Sequence, residues 1–472
     1  MSEGPRTDHG EPVFEEPDGT ALKRVIGPKL LLLFVIGDIL GTTVYSLTGQ
    51  VAGRVGGALW VPFLVAFVVA FLTAFSYLEL VSKYPRAAGA ALYVHKAFGV
   101  HLLTFMVAFA VMCSGITSAA SAAQGFSGDY LAAVVGPDVP GWAVAIGFLL
   151  LLAGINLRGV SESVKINVVL TLVEVSGLLI VIVFGAIAIF GGSGNPELAA
   201  DPGRLVQFDE TSGPFFAVTS ATALAFFAMV GFEDSVNMAE ETKDPVKTFP
   251  RVVLLGLCIT AVIYLTIAVI TSTLVPTDLL AESDGPLLLV VQAAAPWFPA
   301  MLFSIIAMFA LTNTALINML MASRLLYGMA NERIIPRVFG SVLAVRRTPW
   351  VSVLFTSGIA VILVSSVTIA DLGGTTSLLL LVVFAVVNVA VLVLRRDKVE
   401  HPHFTAPTWA PVLGALTCLF FALPITGRPL REYAIAGALL GIGLLFWLAN
   451  QAIGGRGKAD PAAPEPLSRQ DQ

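Results

Sequence analysis

The sequence predicts an all-α membrane protein of about twelve transmembrane helices, and three observations carry that expectation. Hydrophobic residues make up 56% of the 472-residue chain and charged residues only 12%, against roughly 25% charged in ordinary soluble domains. Mean hydropathy is +0.86. Apolar runs of about twenty residues, the length that crosses a bilayer as a helix, recur along nearly the whole chain, whereas a transmembrane barrel would show alternating segments of about ten.

Taken in order, residues 1–24 are polar and rich in Pro, Gly and Glu, without the apolar core or cleavage site of a signal peptide, and read as a disordered tail. Residues 25–453 form one membrane domain. Its spans fall at 29–50, 57–82, 98–123, 140–157, 167–190, 214–239, 251–275, 298–326, 350–370, 375–394, 408–426 and 432–452. Residues 454–472 are a second polar tail. Of the 27 Lys and Arg, only Arg54, Arg204, Arg428 and Arg431 fall in loops on one side of this arrangement. The rest cluster on the side of the N-terminus, which predicts that both termini are cytoplasmic in a multi-pass inner-membrane protein.

Two spans are interrupted. Residues 36–46 (IGDILGTTVYS) in the first hold Gly37, Asp38, Gly41, Thr42 and Thr43; residues 224–241 (LAFFAMVGFEDSVNMAEE) in the sixth hold Gly231, Glu233 and Asp234. An acidic side chain at a helix centre costs roughly 2.5–3.5 kcal/mol on insertion scales, so such carboxylates mark a functional site by default. Paired glycine-interrupted spans in corresponding halves point to a transporter's midplane binding site. With spans 1–5 and 6–10 as the halves, an odd-numbered repeat inserts upside down. The expectation is a five-plus-five inverted repeat, with spans 11 and 12 added outside it.

Where a helix unwinds, its terminal N–H and C=O groups become available to a ligand, and glycine makes the unwinding cheap. Amides around Gly41, Thr42 and Thr43 are candidates to hold a carboxylate; carbonyls near Ile39 and Phe226 are candidates for an ammonium group. The competing reading is that Gly37 and Gly41, at i and i+4, only let helices approach. Phe226, Phe227 and Phe232 flank the second break, as substrate walls or as packing. Glu233 and Asp234, with no basic residue near in sequence, are candidates for ion coupling, a bound cation or bonds to freed amides. Asp38 is a further pocket candidate.

Glu174 stands in the fifth span, KINVVLTLVEVSGLLIVIVF (165–184). Burial there disfavours its charged form, which makes it the leading candidate for proton coupling, with a structural hydrogen bond or a cation contact as alternatives. Thr312, Asn313, Thr314 and Asn318 on the eighth span offer polar groups at helical spacing, for the pocket or for bonds between helices. Cys113, Cys258 and Cys418 lack metal-ligand spacing and read as small core residues. There is no P-loop, HExxH, GxSxG or dinucleotide turn, so neither an enzyme nor an ATP-driven pump is expected. No cofactor, metal or nucleic acid is expected. The expected partners are a small-molecule substrate and the lipid bilayer, and the sequence sets no oligomeric state.

Five stretches resemble the amino acid/polyamine/organocation superfamily of secondary transporters, over roughly residues 25–450. They are GDILGTTVYSLTG (37–49), YLELVSKYPRAAGAALYVHKAFG (77–99), INLRGVSESVKIN (155–167), FFAMVGFEDSVNMAEETKDPVKTFP (226–250) and SRLLYGMANERIIPRVF (323–339). The resemblance implies a leucine-transporter-type inverted repeat and import or exchange of amino acids or amines, held by unwound backbone of spans 1 and 6. Carried onto this chain, it implies binding positions Ile39, Gly41, Thr42, Thr43, Phe226, Phe227, Val230 and Gly231. Thr43 departs from the usual glycine, and Glu174 stands where proton-coupled relatives often carry a lysine. The resulting expectation is alternating-access transport of a small amino acid or organic amine. Its coupling ion is H⁺, through Glu174, Glu233 and Asp234, with Na⁺ as the alternative. The rivals are a polyamine or other organic-cation importer and a ligand-sensing receptor.

Overall fold

The computed structural model describes residues 26–452 apart from 86–88, 159–163, 193, 196–199, 240, 333, 344–347 and 400; positions 42, 164–168 and 237 are described by their backbone alone. Both expected tails, 1–24 and 454–472, lie outside the described residues. The first span opens as α1 (Pro28–Ile39), with proline in the first turn, where its missing N–H leaves no helical bond unmade. The helix stops at Gly41, whose backbone leaves the helical region (φ −36°, ψ −154°), and resumes as the short α2 (Thr42–Ser46). After α3 (Thr48–Val55) come α4 (Trp60–Lys83), α5 (Gly89–Phe98), α6 (His101–Ser127) and α7 (Asp129–Val135), then α8 (Gly141–Arg158) and α9 (Val164–Gly191).

The sixth span begins as α10 (Gly213–Ala225) and then loses its α-helical form. The remaining chain runs through α11 (Pro245–Leu274), α12 (Thr277–Glu282), α13 (Pro286–Ala294), α14 (Ala300–Asn331), α15 (Trp350–Ser366), α16 (Ile369–Leu394), α17 (Trp409–Ala422) and α18 (Leu430–Ala452). Among the described residues, ten helical segments are long and apolar enough to cross a bilayer, and α15 and α17 are shorter apolar helices. No strand occurs among the described residues; one isolated bridge joins Ile26 to Thr242. The chain is a multi-pass membrane protein.

Several elements were absent from the expected span pattern. Helices α3, α5, α7, α12 and α13 lie in the connections. The tenth span begins at Ile369 instead of 375, because Thr368 caps the helix by accepting from the Asp371 N–H at 3.2 Å. Its Gly373–Gly374 pair, loop-like by composition, lies inside the helix. A Cβ on Gly374 would fall 2.1 Å from the Glu432 carboxylate, so the glycine is needed there for α18 to dock. Cys113 and Cys418 are buried as expected, whereas Cys258 is exposed on α11.

At the centre, α6 packs against α14 and α16, and α1 lies between α9 and α11. Two buried acids outside this centre are neutralised by arginines. Glu79 on α4 meets Arg395 through both carboxylate oxygens, at 2.9 and 2.8 Å, and also accepts the Ala406 N–H. Glu432 on α18 lies between Arg54, at 3.0 Å, and Arg428, at 2.6 Å. Arg428 reaches on to the carbonyls of Gly374 and Ala223, tying the C-terminal helix to the last turns of α10.

At the face where the chain enters α1, the Ile26 N–H donates to the Glu241 carbonyl at 3.0 Å and the Lys243 N–H to the Ile26 carbonyl at 2.9 Å. The approach to α1 is thereby hydrogen-bonded to the approach to α11.

Candidate functional site

The α10 break is built in three steps. The backbone tightens to a 3₁₀ turn at Phe226–Met229, extends at Val230 (φ −85°, ψ 153°), and reverses at Gly231, with φ +123°. Such a φ belongs to glycine. A second constraint acts at the same atom, since a Cβ there would fall 2.7 Å from the Asp38 carbonyl of the first break. The two interruptions touch, and Gly231 is the point of contact. The Gly231 N–H, freed by the unwinding, donates to Glu233 Oε2 at 2.8 Å.

Gly37 and Gly41 each serve close approach, but to different helices. A Cβ on Gly37 would fall 2.0 Å from Thr171 Oγ1 on α9, and one on Gly41 would fall 2.9 Å from Thr314 Oγ1 on α14. The Ile39 carbonyl already accepts the Tyr264 hydroxyl of α11 at 2.6 Å, leaving one lone pair for another donor.

A cavity of about 680 Å³ begins at these breaks. Asp38, Ile39, Gly41 and Thr43 line it from the first span, and Phe227, Val230, Gly231, Glu233 and Asp234 from the sixth. Opposite them stand Ser114, Gly115 and Ser118 of α6, Thr314 and Asn318 of α14, and Thr376 of α16. The Asp38 Oδ2 is buried with no hydrogen-bond partner among the described residues.

The cavity continues past Gly89–Ala91 to Arg324, Asn331 and Glu332 at the end of α14. By the alternation of the chain, that is the face where α1 starts. The opposite face is closed. The Tyr130 hydroxyl donates to the Tyr45 carbonyl at 2.6 Å, and both rings stand about Phe303 at 6.4 and 6.5 Å. Asp129 accepts from Ser283 Oγ at 2.6 Å and from the Gly285 N–H at 3.1 Å, which docks the α12–α13 connection onto α7. Burial, and then the neighbouring Asp129, hold the Asp284 carboxyl above the usual carboxylate range.

Five of the expected residues lie elsewhere, among them Phe232, which is fully buried against Tyr77 and Phe384. Phe226 is buried against Phe384, with ring centroids 5.9 Å apart. Thr312 donates to the Met308 carbonyl of its own helix, and neither it nor Asn313 lines the cavity. Glu174 is fully buried behind the first span, where the Tyr45 hydroxyl donates to its backbone carbonyl at 2.7 Å. Neither of its carboxylate oxygens has a hydrogen-bond partner among the described residues. Among those residues, too, no group of three His, Cys, Asp or Glu is placed to hold a metal ion.

Residues 26–445 match the sequence pattern of the family described as amino acid permease. The chain belongs to the amino acid permease family. The branched-chain amino acid permease BcaP of Bacillus subtilis (strain 168) is 26% identical over 424 residues, covering 85% of this chain and 87% of its own. The methylthioribose transporter of the same organism is 25% identical over 450 residues, covering 90% and 93%. The chloroplastic cationic amino acid transporter 9 of Arabidopsis thaliana is 29% identical over 346 residues, covering 69% of this chain and 58% of its own. The permease is a transporter of the superfamily that its motifs resemble, and not an enzyme.

Sequence reasoning missed the permease's Ser114, Gly115 and Ser118, whose signal was a run of small residues on one face of α6. It also missed Tyr45 and Tyr264, hydroxyls in apolar spans that find carbonyl partners far along the chain.

Proposed function

We propose that this permease is a secondary active transporter that moves a small amino acid or organic amine across the cell membrane by alternating access, with the proton as coupling ion. The observation that carries the reading is the one-sided cavity, which starts where two helix breaks meet and runs to one face only. In this reading residues 25–453 form twelve spans between cytoplasmic tails at 1–24 and 454–472. Spans α1–α9 and α10–α16 are inverted repeats, and α17 and α18 are additions. The concentration of Lys and Arg makes the open face cytoplasmic, so the cavity is inward-open.

Backbone groups around Ile39, Gly41–Thr43, Val230 and Gly231 take the polar head of the cargo, with Phe227 as an apolar wall. Glu233 holds the freed amide of Gly231, so cargo that draws on Glu233 or Asp234 alters the second break directly. Glu174 acts from behind. Its neutral form lets α9 rest against Tyr45, and its charged form favours separation and hydration of that contact.

The test is uptake and exchange of amino acids and amines by proteoliposomes under imposed pH and Na⁺ gradients. Glu174→Gln is expected to flatten the pH dependence of uptake while retaining exchange. A variant with the native pH dependence removes Glu174 from coupling, and uptake that follows only the Na⁺ gradient overturns the choice of ion.

A further inference from the structure

We infer that Arg428 and Ser377 are positioning residues for transport: from outside the cavity they cap the end of α10 and thereby keep the second break unwound. The inference rests on the transport reading for the use that is made of the break.

The α-helical bonding of α10 ends with the Phe226 N–H on the Thr222 carbonyl, so the carbonyl of Ala223 is the first left without a following helical N–H. Ala223 is fully buried, and both lone pairs of this carbonyl are taken by side chains distant in sequence. One donor is the Ser377 hydroxyl of α16; the other is Arg428 Nη2, at 3.1 Å, from the connection between α17 and α18. Arg54 Nη1 of α3 adds a bond to the Ser220 carbonyl at 3.3 Å. Both guanidinium groups approach the C-terminal turns of α10, the negative end of its dipole, where cations are favoured. Without these donors, the ready partner for the Ala223 carbonyl is the Phe227 N–H, and that bond continues the α-helix through Phe226–Met229.

Such a continuation moves the site. The four residues Phe226–Met229 form a 3₁₀ turn, which rises about 2.0 Å and turns about 120° per residue, against about 1.5 Å and 100° in an α-helix. Rewinding them draws Val230 back by roughly 2 Å and rotates it by roughly 80°. Val230 then turns off the cavity that it lines, and Gly231 leaves the Asp38 carbonyl against which it rests.

The cap is itself held in place from the far side. Arg428 Nη1 donates to Glu432 Oε2 and to the Gly374 carbonyl, each at 2.6 Å, which fixes the plane of the guanidinium. Gly374 leaves room for Glu432, and Gly373 lets α16 approach both broken spans: a Cβ there would fall 3.3 Å from Phe227 Cδ1 and 2.5 Å from Leu47 Cδ1. The glycine pair thins α16 between the ionic cluster and the breaks. The neighbouring Thr376 lines the cavity and shares a hydrogen bond of 2.7 Å with Thr117 of α6, beside the lining residue Ser118. The cap therefore sets the second break against the facing wall.

The experiment reads the break without cargo, on the full-length permease in nanodiscs. Cys258 is exposed and is replaced by serine, whereas Cys113 and Cys418 are buried. A reporter cysteine is placed at Val230 or, in a separate protein, at Ser118, and its rate of labelling by N-ethylmaleimide is measured at fixed pH. Ser377→Ala removes one donor, and Arg428→Lys keeps the charge beside Glu432 but not the fork that reaches Ala223. The expected result is labelling at 230 that slows in each variant and at least about threefold in the double variant, as a buried carbonyl loses its partners. Labelling at 118 should stay at the native rate, and Ser377→Thr, which keeps the hydroxyl, should retain the native rate at 230. Labelling at 230 that is unchanged or faster in the double variant overturns the inference; faster labelling at both reporters marks a general loosening and overturns it too. If the double variant does not fold, Ser377→Ala decides by the same criteria. Uptake is scored separately: a native protein that carries no amino acid or amine in proteoliposomes overturns the transport reading and leaves the labelling result standing.

Discussion

Glu432 and Glu174 are both fully buried acids on apolar helices, yet their surroundings are opposite. Glu432 has an arginine on each carboxylate oxygen, and Glu79 likewise spends both oxygens on Arg395. Glu174, Asp38, Glu233 and Asp234 have no Lys or Arg partner among the described residues; one backbone amide on Glu233 is their clearest compensation. Desolvating a carboxylate costs several kcal/mol unless it is paired and hydrogen-bonded. Where helices only hold together, this permease cancels the charge in place. Around the breaks no Lys or Arg does so among the described residues, and in the transport reading proposed above a group that arrives and departs balances the acids.

The comparison is broken most severely at Arg428. Arg428→Ala leaves Glu432 buried with half its partners and should cost about 3–5 kcal/mol, read as a large fall in the thermal midpoint of the detergent-purified protein. The double variant Arg428→Met with Glu432→Gln should recover most of that loss, because the uncompensated charge goes too. Arg395→Ala should cost less, about 1–3 kcal/mol by the same measurement: Arg395 is partly exposed, and Glu79 keeps the Ala406 N–H. Glu174→Gln should shift stability by less than about 1 kcal/mol, since a carboxyl without partners loses none on becoming an amide, while transport loses its pH response. A Glu174→Gln protein as unstable as Arg428→Ala would erase the distinction between the two kinds of acid.

The smallest effect is expected outside the membrane spans, at Asp284. Its carboxyl is held above the usual range in the folded protein, so the folded state binds the proton more tightly than the unfolded chain. Stability is then highest where Asp284 is protonated and falls as pH rises from the ordinary aspartate range through its raised value. Asp284→Asn should remove that slope from a series of thermal midpoints, and an unchanged slope would assign it to another group.

The spans and both breaks were legible in the sequence because hydrophobic length, glycine and misplaced charge are local signals. Gly231 is the clearest case: it stood among acids in an apolar run, and its backbone adopts a conformation that side chains disfavour. What remained hidden depends on residues far apart in the chain. Glu79 and Glu174 look alike in sequence, and their difference lies in Arg395, 316 positions from Glu79. Helical spacing alone grouped Thr312 and Asn313 with Thr314 and Asn318, yet only the latter two, at i and i+4, face the cavity. The capping helices α12 and α13 escaped notice because helices of six and nine residues in a connection carry no spanning signal.

The two backbone hydrogen bonds between Ile26 and the 241–243 segment bear on how the molecule can move. They join the lead-in of the first broken helix to the exit of the second, at the face where the cavity is open. Two doors hung on separate hinges could swing out of step and leave a continuous leak through the bilayer. Strapped together at this face by main-chain bonds, they are held to swing in step, as the alternating access proposed above requires.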